Sequence, residues 1–314
     1  MILYELNKSQ SLPQINKKLF YFEQLFDYPF DSSKRFQIDH SPDYSAFYRS
    51  IGQSKTLIAE ADDHIIAAIS IAIRDIRIKN IIEKFIYIGD LKIHPHFRSG
   101  TVLFKLARYL QKIVQDSKLH AYGIVMDGTP LTPEQYSGRL GIPLFQAVKK
   151  VCILRFNTDI FNIGKNEQDE KISHETGYEL YRLLNSEGTL LALSHSKIRS
   201  ALEPLWFHSE AKACGMLEDT RKAKKLFLSA GEELISAHLS YFSFSDALSA
   251  ADVLRQAILY AREQAYPAVF VALSTSQVEL LQEALKNFSY QNLSATLYAT
   301  NTICEHISVN TADI

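Results

Sequence analysis

The chain has 314 residues, with 34 Lys+Arg against 35 Asp+Glu and a formal net charge of −1, a balance that gives no case for a nucleic-acid or anionic-membrane binder. Apolar residues make up 46% and charged residues 22%, which excludes wholesale disorder, and the length suggests about two domains. Three cysteines, Cys152, Cys214 and Cys304, sit at unrelated spacings; they argue against a disulfide framework or a Cys-based zinc site and fit a reducing cytosol. The longest uncharged apolar run, 65–73, is far short of a membrane span, and the opening MILYELNKSQ has no apolar block that would make it a secretory signal. A cytoplasmic protein with no membrane or nucleic-acid partner is the expectation.

In chain order, residues 57–61 and 65–73 are β-rich and flank Asp62-Asp63-His64, a hairpin with a short polar turn; alternation through 74–79 extends its second strand. Residues 85–94 (FIYIGDLKIH) predict a strand stopped by Pro95. Residues 101–116 predict a helix, because Leu103, Leu106, Leu110 and Ile113 recur at helical spacing while Lys105, Arg108 and Lys112 fall elsewhere. A short buried strand at 122–126 and a β-rich run at 145–156 close the first half. The polar stretch 157–176 reads as a linker.

Beyond it, 213–217 and 233–244 are strand-like, and 250–264 is a helix with Val253, Leu254, Ala257 and Ile258 on one face. Residues 268–273 form a short buried strand, 276–286 a helix with capping-box spacing at Ser276 and Glu279, and 288–300 a last alternating strand. The order strand, helix, strand, helix or loop, strand thus occurs twice, about 150 residues apart. The fold expected is α/β, of the α+β mixed-sheet kind. It has two domains, 1–156 and 177–314, joined by the linker 157–176, each a central mixed sheet flanked by helices.

The stretch YIGDLKIHPHFRSGTVLFKL, residues 87–106, carries the chemistry. A strand runs into a proline, an aromatic-Arg pair, three small residues and a helix. A helix start leaves N–H groups unpaired and carries partial positive charge. Ser99, Gly100 and Thr101 let a phosphate approach the backbone there, and Arg98 adds a formal charge, so the segment reads as an anion cradle. The plain alternative is an ordinary strand–turn–helix with small residues at its cap.

The run Asp90-Leu91-Lys92-Ile93-His94-Pro95-His96-Phe97-Arg98 resembles the cofactor-binding core of the GNAT N-acetyltransferase superfamily. The preceding hairpin is similar to that family's second and third strands, 121–126 to its fifth strand, and Tyr136-Ser137-Gly138-Arg139-Leu140-Gly141 to the end of its fourth helix. The resemblance covers roughly residues 20–156. It implies acetyl-CoA, or another acyl-CoA, as co-substrate and no metal. It implies thioester and pantetheine bonding to backbone at Leu91, Lys92 and Ile93, and pyrophosphate on Arg98, Ser99, Gly100, Thr101, Val102 and Leu103. Asp90 is then the candidate base and Tyr136 the candidate acid for an N-acyltransferase working by direct transfer in a ternary complex. The acceptor would be a small-molecule or protein amine. The family's loop has glycines where this chain has Thr101 and Leu103, which keeps open a GNAT-like protein that binds acyl-CoA or a partner without turnover.

The second half is similar to the second half of tandem GNAT-type proteins but has lost the cradle, since Asp246 stands where a pyrophosphate would bind. It is read as a degenerate copy. Glu218, Asp219 and Arg221 are either an acceptor-binding cluster or a solvated strand end. Cys214 is expected to be a buried small residue rather than a nucleophile served by His238. Lys222, Lys224 and Lys225 are expected on a solvated face, and the pair His94, His96 makes a weak metal case.

Overall fold

Asp62 and Asp63 have φ of 50° and 65°, the left-handed pair that a two-residue hairpin turn requires and that Asp tolerates. In the computed structural model this turn joins the two strands that the alternation at 57–73 predicts. The structure describes residues 1–6, 13–30, 33–78, 81–98, 101–115, 119–139, 142–159, 171–186 and 189–314, the side chains of 113–115 and 305–306 excepted.

The first half runs β1 (Ile2–Glu5), α1 (Pro13–Glu23), β2 (Tyr28–Pro29), β3 (Arg35–Asp39), α2 (Ala46–Ile51), β4 (Gln53–Ala61), β5 (His64–Ile78), β6 (Ile81–Ile93), α3 (Thr101–Gln115), β7 (His120–Met126), α4 (Pro133–Tyr136) and β8 (Gln146–Asn157). The second runs β9 (Lys171–Ile172), α5 (His174–Leu184), β10 (Thr189–Leu191), α6 (Ser196–Arg199), β11 (Leu205–Ser209), β12 (Ala213–Glu218), β13 (Lys225–Leu228), β14 (Ala237–Phe244), α7 (Ala247–Glu263), β15 (Ala268–Ser274), α8 (Thr275–Leu281) and β16 (Tyr290–Ala299).

The mixed-sheet α/β class is as expected, but the halves share one sheet. Its order is β1-β4-β5-β6-β7-β16-β8-β15-β14-β12-β11-β9, with β10 added beside β5. The halves interlock through their last strands: β16 lies between β7 and β8, and β8 lies between β16 and β15. Two pairs are parallel, β6 with β7 and β14 with β15, and each is joined through a helix, α3 or α7. A separate small sheet, β13-β3-β2, draws one strand from the second half and two from the first.

Several boundaries differ from the sequence reading for local reasons. The linker expected at 157–176 is shorter on both sides, because Thr158 bonds to Pro267 and Tyr266 and β9 pairs with β11; its middle, 160–170, lies outside the described residues. The last helix is capped by Ser274 and Gln277, two residues before the spacing at Ser276 and Glu279 suggested. α7 is deeply set, with Val253, Leu254, Ala257 and Ile258 all in one apolar cluster as the periodicity required.

The two halves are also joined by charge. Asp313 accepts from Arg74 of β5 at 2.8 Å and from Arg199 of α6 at 2.6 Å, and Arg199 forks onto both oxygens of Glu218 at 2.6 and 3.0 Å. All four side chains are buried.

Candidate active site

β6 and β7 pair over only three residues, Phe85 to Tyr87 against His120 to Tyr122, and then part. Gly123 marks the parting point: a Cβ there would meet the Ile88 carbonyl oxygen at 2.9 Å. Gly123→Val is therefore expected to cost roughly 1–3 kcal/mol by overpacking. A thermal melt checks this; an unchanged melting temperature would mean that the strands have slack at this point.

A bulge lies on β6 just beyond. The register against β5 jumps between Ala68/Lys92 and Ser70/Gly89, so β6 carries one extra residue, and Asp90 sits in it with φ of 53°. The bulge resets the alternation. Ile88, Leu91 and Ile93 all pack toward the cluster holding Val102 and Leu106 of α3, whereas in an unbulged strand strict alternation would put Ile88 on the side of Asp90 and Lys92. Asp90 and Lys92 do share a side, with Lys92 Nζ 3.0 Å from Asp90 Oδ1.

Beneath the parting lies a cavity of about 550 Å³ whose wall is mostly apolar. Leu91, Leu103, Leu106, Leu110 and Tyr136 line it on the α3 side; Tyr28, Phe36, Phe47, Leu226 and Phe270 line it where the two halves meet. The volume is in the range that encloses most of a drug-sized ligand. Lys224 and His238, both from the second half, also border it.

The residues of the anion cradle are placed as follows. Thr101 opens α3 and is exposed, Val102 is buried in the core beside Leu106, and Leu103 is half-buried in the cavity wall. Arg98 is exposed, its Nε donating to the Ile93 carbonyl at 3.4 Å. Ser99 and Gly100 lie outside the described residues, as do Leu140 and Gly141. In the second half the corresponding helix start is already occupied: the Asp246 carboxylate caps α7, accepting the Ser249 N–H at 2.8 Å.

Asp90 is not a free carboxylate. It belongs to a buried cluster with Glu23 of α1, His40 and Lys92, which sequence spacing could not assemble because its members are up to 69 residues apart. Lys92 Nζ lies 2.8 Å from Glu23 and 3.0 Å from Asp90. Burial raises the Asp90 pKa, but the charges of Lys92 and then His40 outweigh it and hold the carboxyl near 2, too low for an effective base at neutral pH. The Glu23, His40 and Asp90 ligand atoms are close enough to hold a metal, yet the Lys92 ammonium already takes the place a cation would fill. Tyr136 is pushed up to about 12, by burial first and Tyr298 second, so its hydroxyl keeps its proton.

Glu218, Asp219 and Arg221 are each engaged with separate partners rather than with one another. Glu218 is taken by Arg199; Asp219 accepts the N–H groups of Ala201 and Leu202 and the Tyr266 hydroxyl; Arg221 forks onto Glu233. Cys214 is fully buried, its thiol pushed up to about 12 by burial, and faces His208 across the strand pair rather than His238. His238 stacks on Phe270 and bonds Thr311 at 3.0 Å. His94 accepts the His96 main-chain N–H through Nδ1.

Lys224 corrects the expectation of a solvated lysine face. It is 3% exposed, its ammonium lies 4.0 Å from the centre of the Phe47 ring, and it donates to the main-chain oxygen of Ile314. Burial lowers its pKa to about 7, against the opposing pull of Asp90.

No protein-family model and no curated protein matches the chain at the sequence level. Solved structures do match its fold. N-myristoyltransferase of Saccharomyces cerevisiae with bound myristoyl-CoA aligns with a TM-score of 0.60 and 11% identity over 95% of this chain and 82% of that one. A GCN5-related N-acetyltransferase from Anabaena variabilis aligns with a TM-score of 0.53 and 13% identity over 97% and 74%. A probable N-acyltransferase from Enterococcus faecalis aligns at 0.50 and 10% over 95% and 71%. These alignments, over nearly the whole chain, show the fold: the chain has the GNAT fold.

Proposed function

We propose that this chain is an acyl-CoA-dependent N-acyltransferase that passes an acyl group to an amine by direct transfer in a ternary complex. The observation that carries the reading is the parting of β6 from β7 above an apolar cavity of about 550 Å³. An edge of β6 left unpaired by β7 suits an extended, amide-bearing chain such as pantetheine. In this proposal the first half, 1–156, holds the co-substrate. Leu91, Lys92 and Ile93 offer it their backbone, and Arg98, Ser99, Gly100, Thr101, Val102 and Leu103 surround its pyrophosphate. Tyr136, protonated and in the cavity wall, is the proposed hydrogen-bond donor to the departing sulfur.

Acetyl, the smallest acyl group, leaves most of such a cavity empty. The aromatic lining where the halves meet favours a longer hydrocarbon chain, and the fold's likeness to an enzyme with bound myristoyl-CoA is in keeping with that.

The second reading, binding without turnover, is favoured by one observation: the carboxylate that family likeness offers as base is neutralised by Lys92. Thermal melting separates the readings. A ligand at a hundred times its Kd adds about 2.7 kcal/mol, a rise of several degrees. Dodecanoyl-CoA or CoA at millimolar concentration is expected to raise the melting temperature, and an amine panel to release free thiol. A rise without thiol release supports binding alone; no rise rejects both.

A further inference from the structure

Among the described residues, two polar atoms of cavity-lining side chains are buried without a hydrogen-bond partner: Nε2 of His40 and Oδ2 of Asp90. The His40 side chain is 1% exposed and that of Asp90 6%. Leaving such atoms unpaired in a low-dielectric site is costly. Both residues line the one cavity, and the ring nitrogen Nδ1 of His40 lies 3.3 Å from Asp90 Oδ2, so the two atoms point to a ligand that supplies the missing N–H groups.

The other nitrogen of His40 is firmly held. Glu23 grips the residue twice: its Oε2 accepts the His40 main-chain N–H at 3.0 Å, and its Oε1 lies 2.7 Å from Nδ1. Glu23 is kept ionised against the effect of burial, chiefly by the Lys92 ammonium 2.8 Å away. An ionised carboxylate only accepts, so Nδ1 carries the proton and Nε2 presents a lone pair. This is the arrangement of a base and its orienting carboxylate. It also lies where transfer would occur, since His40 Nδ1 is 3.3 Å from the carboxylate of Asp90, the residue in the β6 bulge.

We propose that His40 is the base of acyl transfer, that Glu23 positions it, and that the acceptor is an amine whose second N–H is received by Asp90 Oδ2. The proposal rests on the N-acyltransferase reading above. The acceptor enters as an ammonium ion. One proton passes to His40 Nε2, the freed lone pair forms the N–C bond to the thioester carbon, and the C–S bond breaks. The surplus proton on the new amide nitrogen ends on the sulfur, giving a free thiol, and His40 later returns its proton to water. Its surroundings suit the cation formed. Glu23 from α1 and Asp90 from β6 stand against the single ammonium of Lys92, so the protonated ring brings the cluster to neutrality. The Tyr44 and Tyr48 rings of the α2 side and Tyr28 of β2 add no charge at neutral pH, and Lys224 approaches from the second half.

Two measurements test this on the full chain. Long-range ¹H–¹⁵N spectra at pH 7.5, with the His40 signals identified by their loss in His40→Gln, are expected to show the Nδ1–H tautomer, and Glu23→Gln is expected to shift it toward Nε2–H. An Nε2–H tautomer in the unmodified chain overturns the proposal. With dodecanoyl-CoA and the most active amine of the panel, His40→Gln is expected to lower kcat by about 10²–10⁴ at pH 7. It should keep the CoA-induced rise in melting temperature, and its deficit should shrink toward pH 10, where the acceptor is already deprotonated. Unaltered turnover in His40→Gln removes His40 as base while leaving acyl transfer standing; no turnover in the unmodified chain removes acyl transfer itself.

Discussion

Asp313→Ala is expected to lower the unfolding free energy by roughly 3–5 kcal/mol, because it leaves buried cations without the carboxylate that balances them. Asp313 is the shared acceptor of Arg74 from the first half and Arg199 from the second. The two losses are unequal. Arg199 keeps Glu218, whereas Arg74 keeps neutral partners, the Ala192 carbonyl at 3.0 Å and the Tyr122 hydroxyl, so Arg74 becomes the uncompensated charge. Asp313→Asn keeps the shape but removes the charge and should fall between the parent and Asp313→Ala. Urea unfolding measures the series, and a loss under about 1 kcal/mol would show that water enters to solvate Arg74. The pH dependence has a definite sign. Burial raises the Asp313 pKa, but Arg74 and Arg199 outweigh it and depress the folded value. The carboxylate's contribution is therefore complete above the ordinary Asp range near 3.9 and is lost as pH falls through the depressed folded value. Asp313→Ala should correspondingly flatten the acid limb of the stability profile.

This network also explains what could be read from the chain and what could not. The hairpin at β4 and β5, the strand β6, the helices α3 and α7 and the short strands after them were legible because each has a local cause: an Asp-Asp turn, a proline stop, a helical apolar stripe. Alternation failed at Asp90 because a bulge adds a residue without leaving a composition mark, and Ile88 changed sides with it. The interlocking of β8 and β16 was illegible because strand order depends on pairings between residues such as Thr296 and Lys150, far apart in sequence. For the same reason His40 and Glu23 went unread: a lone histidine beyond a short strand and a carboxylate at a helix end carry no spacing signal until α1 packs beside β3. Lys224 looked like one of three surface lysines, and only its position over Phe47 distinguishes it.

The interlocked sheet has a functional consequence. The cavity wall is drawn from both halves, with Leu91 and Leu103 at one end and Leu226 and Phe270 toward the other. A second half that has filled its own helix start with Asp246 still shapes the site, because β13 joins β3 in the small sheet and carries Leu226 to the cavity. Loss of an anion cradle in that half and retention of its strands are thus compatible with one shared site rather than two.

The rate of transfer is expected to climb steeply with acyl-chain length. Each buried methylene contributes about 0.8 kcal/mol, or roughly fourfold, where the chain enters a pre-formed apolar site. From acetyl- to decanoyl-CoA the nominal gain is reduced by the ordering of the chain, leaving a rise in kcat/KM of about three orders of magnitude. The rise should stop once the cavity of about 550 Å³ is full, and still longer chains should react more slowly. Leu131, which lines the cavity yet is 53% exposed, marks a rim where an overlong chain would meet water. Leu226→Trp narrows the wall supplied by the second half and should move the optimum to shorter chains by a few carbons without abolishing turnover. Thiol release measured across acetyl-, hexanoyl-, decanoyl-, tetradecanoyl- and octadecanoyl-CoA at a fixed amine concentration decides the matter. A profile that is flat or highest at acetyl would assign the apolar volume to the acceptor instead, and an unmoved optimum in Leu226→Trp would confine the acyl chain to the α3 end.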